Sequence, residues 1–139
     1  MKYGHLVIEK KEFETLKRII GSIPNRLDSS YRISLQTFGE ELQSAILLDE
    51  DEMPDDVVRF NSTVTILDSF SDERTYSIVM PSKADVSQKM ISILAPMGLA
   101  LFGYSLDDKI EWQFPTGKHL FKIIKVEQCQ KKIIQSEKK

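Results

Sequence analysis

The chain has 139 residues, 41% apolar and 29% charged, and its 19 basic side chains nearly balance 21 acidic ones for a formal charge of -2. That is the composition of a globular protein of one or two small domains, and the near-neutral balance excludes a basic nucleic-acid module. The single cysteine, Cys129, excludes an internal disulfide, and no Cys-x-x-Cys or His-x-x-x-His spacing accompanies it, which excludes a structural zinc site. No apolar run approaches the roughly 20 residues of a membrane span, and residues 1–8 are too short and polar for a signal peptide. The expectation is a cytoplasmic protein without cofactor or metal, partnered by neither membrane nor specific nucleic-acid sequence.

From the N-terminus, His5, Leu6, Val7 and Ile8 read as a short strand or an apolar lead-in. Phe13, Leu16, Ile20 and Ile23, then Tyr31, Leu35, Phe38, Leu42 and Ala45, recur at spacings of three and four, which trace one face of each of two helices. Gly21 and Pro24 punctuate the stretch between them, and Asp28, Ser29 or Ser30 can cap the second helix. The pair is expected to form a short antiparallel hairpin, with Gly39 costing the second helix about 1 kcal/mol relative to Ala.

Residues 49–56 hold six carboxylates around Pro54, the composition of a solvated linker. Two segments are therefore expected: a helical arm with its acidic linker over 1–52, and a second domain with a basic tail over 53–139. The first carries 7 basic and 10 acidic side chains, the second 12 and 11.

Past the linker the period changes to two. Val64 and Ile66, then Tyr76, Ile78 and Met80, then Ile91 and Ile93, then Ile110, Trp112 and Phe114 alternate with polar neighbours as in a sheet with one buried face. Pro115-Thr116-Gly117 supplies a turn into a last strand over 120–126, where the adjacent Ile123 and Ile124 break the alternation and predict a bulge or burial of both faces. Between the third and fourth strands, residues 96–102 open on proline and are followed by Gly103, as a short helix requires. Its apolar residues would clamp it against the sheet. The fold class expected is α+β.

The segments ISILAPMGLALFGYSLDDKIEW (91–112), NSTVTILD (61–68) and PTGKHLFKIIKVE (115–127) together resemble the C-terminal domain of the Gre transcript cleavage factors and of the related regulator of nucleoside diphosphate kinase (Rnk). Ala95 before Pro96 and the linker MPDDVV (53–58) are closer to the Rnk form. The resemblance implies a fold like that of the FK506-binding proteins, a bent antiparallel sheet wrapping one short helix behind a helical arm. It further implies binding to bacterial RNA polymerase near its secondary channel. In the cleavage factors, acidic residues at the arm tip help hold a catalytic magnesium ion. Here the turn over 21–30 offers one carboxylate, Asp28, beside Arg26, and a first helix of about 13 residues reaches only roughly 20 Å.

These features lead to an expected regulator of transcription that binds polymerase without enzymatic activity. The alternatives are a Gre-type cleavage factor, a prolyl isomerase of the same fold, or a module for an unrelated partner. Candidate partner-binding residues are Ala95, Pro96, Met97 and Gly98, with Ser82 and Asp85 on a neighbouring loop, and Arg26 and Asp28 mark the arm tip. Each has a plainer reading as well: burial demands an apolar helix at 96–102, residues 81–85 suit a solvated turn, and Asp28 suits a helix cap. Trp112 could mark an isomerase pocket, but its alternation places it in a core. His5, His119 and Cys129 have no ligand spacing.

Overall fold

The computed structural model describes residues 2–23, 29–114 and 116–128. Strand β1 (Val7–Glu9) leads directly into helix α1 (Lys10–Gly21). The Glu9 carboxylate accepts from the Glu12 backbone N–H at 3.0 Å and so caps the helix. Helix α2 (Ser29–Gln43) follows and runs unbroken through Gly39. Phe38 and Leu42, which flank that glycine, are buried, so tertiary packing offsets its low helix propensity. Strand β2 (Ile46–Leu48), which the periodicity does not announce, pairs in parallel with β1.

A five-stranded sheet makes up the rest, in the order β5-β4-β3-β7-β6. Its strands are β3 (Ser62–Asp68), β4 (Glu73–Val79), β5 (Met90–Ser92), β6 (Lys109–Phe114) and β7 (Gly117–Gln128), and helix α3 (Pro96–Leu101) lies between β5 and β6. The pairs β3·β4, β3·β7 and β6·β7 are antiparallel. The fully antiparallel sheet expected from sequence is corrected at β5, which runs parallel to β4. The register shifts after Thr65, which faces Lys125 while Ile66 faces Ile123, so Ile124 is the extra residue of the expected bulge.

Two observations bear on the N-terminal segment. Leu6, Ile8, Leu16, Phe38 and Leu42 belong to the same buried cluster as Val64, Ile78, Leu99, Phe102, Trp112 and Ile123, so the core crosses the composition boundary at 52/53. The acidic stretch is largely exposed, and several of its carboxylates are bonded as well. Glu50–Glu52 forms a 3-10 turn closed by reciprocal Asp49 and Glu52 side-chain bonds, Asp49 pairs with Lys10 at 3.1 Å, and Asp56 accepts from the Lys2 and Tyr3 side chains. Gly103, at φ +86°, closes the assembly: its N–H donates to Val58 O at 3.0 Å and its carbonyl accepts from Val7 N at 3.1 Å. A β-carbon there would stand 3.1 Å from the Leu6 side chain.

Candidate functional site

An open groove of about 440 Å³ lies where the β3–β4 turn, the β6–β7 turn and the start of α3 converge. Each wall follows from local chemistry. In the β3–β4 turn the Asp68 carboxylate accepts from Phe70 N at 2.9 Å and Asp72 N at 3.0 Å, and Ser71 takes φ +67°. That tight turn throws Phe70 outward, leaving its ring 83% exposed. Across the groove Gly117 takes φ +124°, a conformation that favours glycine, and lets β7 start close to the end of β6. Leu120 stands 57% exposed on that wall. The His119 ring meets Phe114 edge-on at 5.4 Å and holds the Thr116 hydroxyl at 2.8 Å. Ile66, Tyr76, Phe121, Pro96 and Met97 complete the lining.

Pro96 and Met97 reach the groove because α3 is pressed hard onto the strand before it. Pro96 occupies the first helical turn, where its missing N–H costs nothing, and Ala95 is the N-cap without a side-chain bond. Gly98 is buried, and a β-carbon on it would stand 2.3 Å from Ser92 O and 2.9 Å from the Ile93 Cα. Gly98 therefore serves close packing rather than outward contact. The remainder of α3 (Leu99, Ala100, Leu101) is core.

The other sequence candidates sit apart. Ser82 is exposed in the 3-10 turn Pro81–Lys83, and the exposed Asp85 spends its carboxylate on Ser87 N at 3.1 Å and Ser87 Oγ at 2.7 Å. Neither lines the groove. Arg26 and Asp28 lie outside the described residues, as do Pro115, Cys129 and the basic tail. Trp112 is 3% exposed and does not line the groove, so the isomerase reading loses its marker. Helix α2 reaches the site from behind: the Tyr31 hydroxyl donates to Leu94 O, one residue before Ala95, and Ser34 Oγ donates to Gln113 O at 2.8 Å. Burial raises the Tyr31 phenol above its usual range. Sequence reasoning missed Phe70 and Leu120; the available signal was a lone aromatic ring at the centre of Asp68-Ser69-Phe70-Ser71-Asp72, where turn chemistry asks for none.

The model of the C-terminal domain of the transcription elongation factors GreA/GreB matches residues 53–128, just over half of the chain. The chain belongs to the GreA/GreB family. Transcription elongation factor GreA of Pelobacter propionicus is 34% identical over 119 residues, 85% of this chain and 70% of the relative. GreA of Trichlorobacter lovleyi is 33% identical over the same shares. Among solved structures, the prokaryotic transcription elongation factor GreA/GreB from Nitrosomonas europaea superposes with a TM-score of 0.70 at 30% identity, over 88% of this chain and 98% of that one. These matches support the Gre family without separating an Rnk-like form within it. They overturn the expectation that the chain is not an enzyme, because relatives aligned along 85% of it bear the name of the elongation factor GreA. Among the described residues no helix is long and apolar enough to cross a membrane.

Proposed function

We propose that this chain is a Gre-type transcription elongation factor that binds bacterial RNA polymerase through the groove at Pro96 and Met97 and acts near the secondary channel, in the cytoplasm. The observation that carries the reading is an open apolar groove walled by the outward Phe70 and Leu120, on the part of the chain that matches the family. A contiguous apolar surface left uncovered by the chain's own folding marks a protein-binding site. Ala95, next to Pro96, is assigned to the same contact and Arg26 and Asp28 to the arm tip expected from sequence, whereas Ser82 and Asp85, which stand apart from the groove, are left out of it. The curl of the sheet over α3 supports the likeness to FK506-binding proteins; for the helical hairpin the support is the succession of α1 and α2 in the chain, while α1 packs on β1 and β2 and α2 on α3 and β6.

Binding of purified polymerase to the full chain tests the docking site. Met97→Glu should weaken it at least tenfold, since a charge desolvated at an interface without a partner is costly; Met97 also packs against the core, so the variant's melting temperature should fall while it keeps a cooperative transition above the assay temperature. Undiminished binding by the folded variant would move the contact elsewhere. The elongation-factor reading is tested on a backtracked polymerase complex. A changed rate of transcript cleavage or of elongation on adding the chain supports it, and unchanged rates at saturating binding overturn it.

A further inference from the structure

At the far end of β7 from the groove, the segment entering β3 carries Arg59, whose side chain is nearly buried although its head is a permanent cation. Its donors are divided between two elements. Nε donates to Glu12 Oε1 of α1 at 3.1 Å, while Nη1 and Nη2 grip Glu50 Oε2 and Oε1 of the 3-10 turn at 2.9 and 2.6 Å. The Arg59 backbone is fixed as well. Its N–H donates to Ser62 Oγ at 2.8 Å, Ser62 Oγ donates to Gln128 Oε1 at 2.7 Å, and Gln128 Nε2 returns to Val57 O at 2.6 Å. Burial pushes the Glu12 carboxyl up despite Arg59, whereas the fork holds Glu50 below the usual carboxylate range.

Stability alone does not account for this arrangement, because a buried ion pair is often no more stabilising than apolar groups of the same shape. Direction does. Helix α1 rests on the core through Leu16, with Phe13, Ile19 and Ile20 packed beside it, and such contacts are non-directional. The fork on Glu50 locks the guanidinium plane, and the Nε bond from that fixed plane to Glu12 holds one point of the helix in place. We propose that Arg59 is a positioning residue that fixes α1 relative to the sheet carrying the groove, so that the helices are presented in one orientation to whatever the groove binds. The functional half of this assignment rests on the polymerase-docking reading; the positioning half does not.

The test uses the full chain carrying Cys129→Ser, with spin labels at Glu14→Cys on α1 and Glu73→Cys on β4. The wild-type background should give one narrow distance distribution. The double variant Arg59→Met with Glu12→Gln leaves no buried charge orphaned and lets the half-exposed Glu50 return to water; its distribution should broaden at least twofold. An unchanged distribution overturns the proposal. If the double variant fails to fold, Glu12→Met, which removes the bond to α1 and leaves Arg59 its fork on Glu50, should still broaden the distribution, and an unchanged width overturns the proposal equally. With polymerase, the double variant should bind within twofold of wild type yet lose at least tenfold of its effect on transcription at saturation. Equal loss of affinity and effect would make Arg59 merely structural. Failure of the wild type to bind would defeat the docking reading, while the distance measurement would still decide positioning.

Discussion

The two ends of β7 invert the usual distribution of side chains. At its start, Phe70 and Leu120 leave apolar surface open to water around a groove that the half-buried Met97 also lines; at its finish, Arg59 and Glu12 draw charge out of water and pair it. Exposed apolar surface is stabilised only when something covers it, whereas a satisfied ion cluster asks nothing of a partner. The first end is therefore the one proposed to bind and the second the one proposed to hold internal geometry.

The sharpest way to break this contrast is to remove the elements that the internal end secures. A chain beginning at Met53 loses Leu6, Ile8, Leu16, Phe38 and Leu42, five buried side chains worth about 1.5–3 kcal/mol each. Their sum, roughly 10 kcal/mol, matches the whole stability of an ordinary domain. No cooperative thermal transition is expected for residues 53–139, contrary to what the acidic linker suggests from sequence. A sharp transition near the full-length temperature would restore an independent second domain.

Next comes Gly98→Ala, which places a methyl group against the Ser92 carbonyl beneath the groove. Overpacking of this kind costs about 1–3 kcal/mol or more, read as a lower urea midpoint. At the open end Phe70→Ala should do the reverse. Its stability should stay within about 0.5 kcal/mol of wild type, because the ring is already in water. Polymerase affinity should fall by about 1–2 kcal/mol. Equal affinity would reassign that wall to plain surface.

The smallest effect probes the internal polar contacts of α2. Tyr104 Oη donates to both Glu41 oxygens at 2.9 and 2.8 Å, yet burial outweighs that bond and raises the Glu41 carboxyl above its ordinary value of 4.5. A carboxyl raised in the folded state takes up its proton before the unfolded chain does. Folding therefore gains as pH falls from above the raised value toward 4.5, and this gain is absent above that window. Wild type should improve relative to Glu41→Gln between pH 7 and pH 4.5 in paired urea titrations. A constant difference across that range would mean that Glu41 titrates as it does in water.

Much of the architecture was legible because it follows from local rules. Alternation at Val64, Ile66, Ile110 and Trp112 placed the strands, the 3.6 period placed both long helices, Pro96 and Gly103 bracketed α3, and adjacent Ile123 and Ile124 announced the bulge. Of the groove, Pro96 and Met97 could be named from the chain, but Phe70 and Leu120 could not. A turn residue joins a site only once distant turns are folded beside it. Arg59 was illegible for the same reason, since its partners at Glu12 and Glu50 lie 47 and 9 residues away.

The chain by itself determined where the long helices and the strands of the larger sheet fall and to which family it belongs, since periodicity, capping and motif are properties of neighbouring residues; the parallel pair β1 and β2 was not among them. Tertiary structure alone decided that the helices share one core with the sheet, that Glu50 of the exposed acidic stretch partners Arg59, and which apolar side chains stay uncovered. Burial and charge pairing depend on what long-range contacts bring near, and identical residues in the same order are solvated or buried according to that neighbourhood.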